Sequence, residues 1–377
     1  MKFLHISDLH IGKRLNGVPL LHDQISVLDQ IADIAVREAV DAVLIAGDVY
    51  QKSSPQSGAM AAFSDFLSKL VSRGIKVFII SGNHDSEQHI SYFSSLVRSS
   101  GVWVSEEFDG RLQTVELDDE FGELTVSLLP YIKPANVKKF FPDRQIDSYQ
   151  DAVSAVLENS ETDFSKRNVL LCHQFVTGAE LSDSEELSVG GLENISASLF
   201  DGFDYAAMGH IHKPQSIGRK TLRYAGSMMK YSFSEAKHKK SVTVVELREK
   251  GDVDVREIKL TAPHDVREIS GSLEELLNMP YSEDYVRASL TDELIAPDAA
   301  VTLSTVFPNL MELRICNSKS GETLEYTAAE SIRGKTVEEL FRDFYRMQNN
   351  SAEPDEAHIA LLREILSGLE ANPDETD

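Results

Sequence analysis

The chain has 377 residues, of which 42% are hydrophobic, 26% charged and 8% aromatic, a composition that excludes disordered, collagen and coiled-coil classes and allows about two or three globular domains. Its formal net charge is −24, from 37 basic and 61 acidic residues, and residues 266–377 alone hold 9 basic and 23 acidic side chains. The two cysteines, Cys172 and Cys316, form no CxxC pair, so no disulfide framework or structural zinc site is suggested.

Residues 2–7 (KFLHIS), 42–46 (AVLIA) and 75–80 (IKVFII) are short β-branched apolar runs separated by helical patterns, Leu21 to Val40 and Gly58 to Val71. The alternation predicts βαβ units. A helix over 87–99 would carry Ile90, Phe93, Leu96 and Val97, and core packing is the default explanation for such spacing. From Gly101 the stretches VWVS, RLQTVEL and ELTVSLLP predict a meander. A helix from Ser148 to Glu158, the run NVLLCHQF at 168–175, DYAAMGH at 204–210 and strands near 222–225 and 241–247 complete two sheets with flanking helices.

Beyond Pro263 the pattern restarts on a smaller scale: VREI, a helix at Leu273 to Asn278, DYVRASL, a helix near Asp298 to Val306, and LMELRICN predict a compact βαβαβ unit. Thr336-x-x-Glu339 is a capping box opening a helix to about Met347. After QNNSAEPDE a last helix presents Leu362, Ile365, Leu366 and Leu369 on one face, and such a helix pair either folds back on the core or docks on a partner. No apolar run approaches ~18 residues, and the expected location is the cytoplasm.

Five segments at predicted strand ends supply metal-ligand side chains: Asp8-Leu9-His10, Gly47-Asp48, Gly82-Asn83-His84-Asp85, His173, and Gly209-His210-Ile211-His212. Loops at strand carboxyl ends are where open α/β sheets bind ligands. Any one of these segments alone means little. Together, carboxylates and imidazoles converging at sheet ends would be costly without a cation. A site of that kind carries negative charge which metals offset, so the acidity of the chain does not exclude a phosphate substrate. The remaining histidines (His5, His22, His89, His238, His264, His358) lack such context. Cys172 alternates away from His173 along NVLLCHQF, which points its thiol into the core.

The order D-x-H, G-D, G-N-H-[DE], H, G-H-x-H resembles that of the calcineurin-like metallophosphoesterases and is matched in full. HISDLHIGKRLNGVPLLHDQ, AGDVYQKSSP, SGNHDS and AGSMMKYSFSEAKHKKSV further resemble the SbcD family of nuclease subunits over about residues 1–260. The later unit and terminal helices are similar in layout only. Leu9 and Gln51 stand where the family often has Trp and an acidic residue, and neither is a ligand position.

The resemblance implies an α/β fold: a two-sheet αββα sandwich over 1–264 as nuclease domain, a small α/β capping domain over 265–334, and C-terminal helices over 335–377 that bind an ATPase partner. It implies one divalent metal on Asp8, His10, Asp48 and His212, and a second on Asp48, Asn83, His173 and His210, with Asp48 bridging. Mixed imidazole, carboxylate and amide donors favour Mn2+ over Mg2+. His84 would stabilise the transition state and protonate the leaving oxygen, with Asp85 orienting it or, alternatively, capping a helix that begins at Glu87.

Lys13, Arg14, Lys213, Arg223, Lys230, Lys237, Lys239 and Lys240 fall in loops near the motifs, where they either contact DNA phosphates or are simply solvated. The implied assembly is a homodimer formed through parts of helices 58–71 and 87–99, with DNA and an SbcC-like coiled-coil ABC ATPase that uses the ATP. Its expected activity is exonuclease and hairpin endonuclease action in DNA repair, recombination and replication. A stand-alone metallophosphoesterase acting on phosphoproteins or nucleotides, and a scaffold with a vestigial site, are the competing readings.

Overall fold

The computed structural model describes residues 1–92, 94–183, 194–294, 298–316, 336–348 and 353–370. The chain divides into two compact units, Met1–Val266 and Arg267–Asp377.

In the first unit β1 (Lys2–Ile6), α1 (Leu21–Arg37), β2 (Ala42–Ala46), α2 (Ser57–Val71) and β3 (Lys76–Ile80) form the expected βαβ series, with β1, β2 and β3 parallel. Every residue of β2 is buried, the reason AVLIA reads as a continuous apolar run rather than an alternating one. The expected helix over 87–99 is broken into α3 (Glu87–Ser91), α4 (Ser94–Val97) and a short 3-10 turn, Arg98–Ser100; Phe93 lies outside the described residues. Tyr92 and Leu96 are exposed, so this segment does not bury a full apolar face within the unit.

The expected meander is corrected at its first strand. VWV forms β4 (Val102–Val104), which pairs parallel with β3, and Trp103 stacks on Phe78 with ring centroids 4.9 Å apart. Of the expected meander, the antiparallel hairpin is β5 (Gln113–Asp119) with β6 (Gly122–Leu129). Then follow α5 (Tyr149–Glu158), β7 (Arg167–His173), β8 (Tyr205–Gly209), β9 (Gln215–Ser216), β10 (Leu222–Tyr224), β11 (Ser241–Leu247) and β12 (Val253–Lys259). The first sheet has the order β12-β11-β1-β2-β3-β4 and the second β9-β10-β8-β7-β6-β5.

The sheets pack face to face. Phe3, Leu44 and Phe78 from the first meet Val126, Leu171 and Ala207 from the second, while Leu170, Cys172 and Met208, one residue out of step, face Val153 and Val156 of α5. Period-two alternation along β7 therefore places Cys172 in the outer core, as expected, and burial pushes its thiol up. This is the two-sheet α/β sandwich expected from the sequence.

The second unit holds the three-stranded sheet β13-β14-β15, from β13 (Val266–Gly271), β14 (Tyr285–Leu290) and β15 (Leu310–Ile315), with α6 (Leu273–Leu277) and α7 (Ala299–Leu303) between the strands. Its core is built on Val286, Ala288, Leu290, Leu303 and Phe307. Thr336 and Glu339 close the expected capping box on α8 (Val337–Gln348). On α9 (Glu356–Glu370), Arg363 reaches back to Glu338 at 2.9 Å and His358 packs edge-on against Tyr345. The side chains of Ile365, Leu366 and Leu369 lie outside the described set. Among the described residues no helix is long and apolar enough to cross a membrane.

Candidate metal centre

Each parallel strand releases its chain into a tight turn at its carboxyl end, and the turns face one another across the two sheets. Asp8, His10, Asp48 and His210 adopt the left-handed backbone region, at φ 51°, 43°, 52° and 99°. Such conformations are uncommon for side chains with a Cβ and persist only where the surroundings hold them. Here the holding is visible: Asp8 N–H donates to Gly47 O at 3.1 Å and His10 N–H to Asp48 O at 2.9 Å. Gly82 is required by close approach, since a Cβ there would collide with the Asp48 carboxylate and its backbone nitrogen.

Seven expected ligands come together. His10 Nε2 lies 3.0 Å from His212 Nε2 and 3.6 Å from Asp48 Oδ2. On the other side of Asp48, His173 Nε2 is 3.4 Å from Oδ2, and the Asn83 amide oxygen sits 3.1 Å from both His173 Nε2 and His210 Nδ1. Donor atoms of Asp8, His10 and His212 all fall within 4.8 Å of one another, as do those of Asp8, Asp48 and His173. Asp48 thus stands between two groups of donors.

The electrostatics fit cations. Burial holds the His10 imidazole well below its ordinary range and takes His210 down to about 3, so both rings keep lone pairs. Burial raises Asp8 and opposes charge on His173, yet Asp48 and Asp8 together push His173 up to about 9, a measure of how strongly the carboxylates draw positive charge inward. Two carboxylates, four imidazoles and one amide, with no lysine or arginine among them, are a donor set suited to divalent metals.

Outer partners fix the ring orientations. His173 Nδ1–H donates to Ala46 O at 2.7 Å, which turns Nε2 inward toward Asp48 and Asn83. Asp8 Oδ2 accepts from the Ser7 hydroxyl at 2.6 Å and Oδ1 from His210 N–H at 2.9 Å. His212 Nδ1 faces Glu235 Oε1 at 3.1 Å, and Glu235, fully buried, is ion-paired with Lys240. Glu235 carries no motif of its own; in the sequence it is marked only by its position inside AGSMMKYSFSEAKHKKSV. Tyr131 stacks on His210 with centroids 6.1 Å apart and adds an aromatic wall.

His84 offers its backbone N–H to Asp48 Oδ1 at 2.9 Å, and its ring stands edge-on to His10 at 4.8 Å. A further donor group, His10, Asp48 and His84, also falls within 4.8 Å, so the ring borders the centre. Asp85 has a different place from either one expected. Its carboxylate accepts from the backbone N–H of Val49, Tyr50 and Gly82, each at 3.0 Å, and so ties the two loops together. Burial, then the Asp48 charge, pushes it up to about 7. The helix starting at Glu87 is capped by Ser86 instead.

The basic residues separate into two sets. Lys240 is buried, donating to His212 O at 2.8 Å and Ser227 Oγ at 2.7 Å, so the expected phosphate contact is corrected to a structural cation. Arg223 is likewise buried, bonded to Thr243 and Glu257. Lys230 pairs with Asp265 at 2.8 Å and Lys213 with Glu180. Lys13 lies over the Tyr231 ring at 5.6 Å and Arg14 bonds Gly17 O, while Lys237 and Lys239 are exposed.

A fold of this architecture, with such donors at its strand ends, is that of a metal-dependent phosphoesterase. Residues 1–214, more than half of the chain, match the calcineurin-like phosphoesterase family, and the chain belongs to it. Residues 262–349 match a second family, described as the type 5 capsule protein repressor C-terminal domain. The chain is similar to the D component of the SbcCD nuclease of Staphylococcus epidermidis, 29% identical over 351 residues that span 90% of this chain and 92% of the relative. Among solved structures, a dimetal phosphatase from Danio rerio aligns over 70% of this chain and 99% of its own at 11% identity and a TM-score of 0.39. TT1561 of Thermus thermophilus aligns over 68% and 98% at 10% identity and a TM-score of 0.38. Neither of these two structural likenesses is close enough to bear on function.

Proposed function

We propose that the chain is the nuclease subunit of an SbcCD-type complex, a metal-dependent DNA exonuclease and hairpin or end-processing endonuclease serving DNA repair, recombination and replication in the cytoplasm. The observation that carries this reading is the convergence of seven ligand-type side chains on the bridging position of Asp48, in a chain similar to the D component of an SbcCD nuclease over nine-tenths of its length. In this reading Asp8, His10, Asp48 and His212 hold one divalent cation and Asp48, Asn83, His173 and His210 the other, with Mn2+ preferred and Mg2+ tolerated. When bound, such a pair polarises a phosphodiester and activates water for in-line displacement.

The chain's own residues supply the rest. Asp48 holds the two donor groups in register, and Asp85 fixes the loop on which Asp48 sits. His84, partly exposed at the rim, gives a proton to the leaving oxygen. Lys13, Arg14, Lys237 and Lys239 are the remaining candidates for phosphate contacts. The exposed Tyr92 and Leu96 and the apolar groove between α2 and the α3–α4 segment support a homodimer through these helices. Residues 335–377 would engage an SbcC-like ATPase, which uses the ATP.

Asp48→Ala tests this directly. It should abolish manganese-dependent DNA cleavage with the circular dichroism spectrum preserved, and chelation of the wild-type protein should do the same reversibly. Full cleavage by the variant would overturn the two-metal assignment.

A further inference from the structure

A cavity of about 340 Å³ opens within the first unit, between the loop 228–240 and the segment 259–266 that follows β12, and none of the candidate metal ligands lines it. Its charge is opposite to that of the molecule. Lys230, Lys237, Lys239, Lys240 and Lys259 line it, with Asp265 as the one carboxylate, in a chain whose net charge is −24. Lys240 is matched by Glu235 and Lys230 by Asp265, which hold those two ammonium groups in place. Among the described residues no ion pair joins Lys237, Lys239 or Lys259 to a carboxylate.

Like charges gathered in a concavity repel one another and concentrate anions from solution. Lys230 is further fixed by the carbonyls of Ala236 at 2.6 Å and Val266 at 3.3 Å, so part of the basic wall is rigid before any ligand arrives. Met228, Met229 and Leu260 add an apolar part to the lining. A volume of about 340 Å³ with a lining partly charged and partly apolar is at the lower end of small-molecule sites.

We propose that this cavity binds a small phosphate-bearing anion, with its phosphates on Lys237, Lys239 and Lys259 and an apolar or planar group toward Met228, Met229 and Leu260. Two sources share that chemistry: a mononucleotide, or a free inorganic oligophosphate. The inference does not depend on the metal centre or on the proposed nuclease activity.

The experiment uses the full chain after metal stripping, titrated calorimetrically with pyrophosphate and, separately, with deoxyadenosine monophosphate. Binding with one site per chain is expected, weakened about tenfold or more by Lys237→Ala combined with Lys259→Ala, and retained in Asp48→Ala. Tighter binding of the mononucleotide would identify the nucleotide as the source, and tighter binding of pyrophosphate the inorganic anion. Three results would overturn the proposal: no binding of either probe, equal binding by the lysine variant, or loss of binding in Asp48→Ala, which would move the anion to the metal centre. Binding of a single-stranded oligonucleotide but of neither small probe would also overturn it, since the lysines would then belong to an extended strand surface.

Discussion

Asn83 turns its amide oxygen between His173 and His210, whereas the next residue, His84, gives Asp48 its backbone N–H and borders the centre with a ring nitrogen within 4.8 Å of donor atoms of His10 and Asp48. Both proposed metal positions are complete without that imidazole. His84→Gln should therefore bind two manganese ions almost as well as wild type while DNA cleavage falls by about 10²–10⁴, the usual cost of removing a general acid. Calorimetric metal titration beside a cleavage assay on one preparation checks this, and loss of one ion from the variant would make His84 a ligand. Glu235 invites the converse change. Its carboxylate orients His212 through Nδ1 and neutralises Lys240, so Glu235→Gln should weaken manganese binding by about 10–100-fold. Adding Lys240→Met removes the uncompensated buried charge and should recover stability in urea denaturation without recovering metal affinity.

At the scale of elements, local signals were legible and long-range partners were not. The parallel strands, the flanking helices and the Thr336 capping box could be read because periodicity and caps lie within one stretch of chain. The convergence of the candidate ligands was foreshadowed because five short motifs each carry their own residue types. Asp85 is not legible because its partners Val49 and Tyr50 lie on a different loop, 36 and 35 residues away, and Lys240 because its nearby partner Glu235 is itself tied to His212, 28 residues back from Lys240. VWV reads as part of a meander because nothing in three residues tells which sheet they join; the stacking of Trp103 on Phe78 is a tertiary fact. Helix α1 ends in a Schellman motif, with Val40 N–H on Ala35 O and Ala39 N–H on Val36 O, and Ala39 holds the left-handed position at φ 50° where glycine is the usual residue. The left-handed conformation costs alanine roughly 1–2 kcal/mol, and glycine gives back roughly 0.5–1 in chain entropy. Ala39→Gly should therefore stabilise the first unit by roughly 0.5–1 kcal/mol, measured as a raised urea midpoint at unchanged slope.

For the whole molecule, the candidate ligands all belong to Met1–Val266 and none to Arg267–Asp377. The first unit also contains the strained left-handed residues Asp8, His10, Asp48 and His210, each costing of order 1–3 kcal/mol, and two buried carboxylates that repel one another. A cation bound only by the folded state offsets that cost, by about 2.7 kcal/mol at a free concentration a hundred times its dissociation constant. For a unit of more than 200 residues each kcal/mol moves the midpoint by roughly 2–4 °C, so one occupied site should raise it by roughly 5–10 °C. Because the two units have separate cores, their unfolding is expected as two transitions, of which only one responds to metal. Differential scanning calorimetry in chelator and in excess manganese should show one transition move upward and the other stay in place. In Asp48→Ala, which lacks the carboxylate shared by both donor groups, neither should move. If both transitions shifted together in the wild-type chain, metal binding and the fold of the second unit would be linked; if neither did, the converging side chains would not form a metal centre.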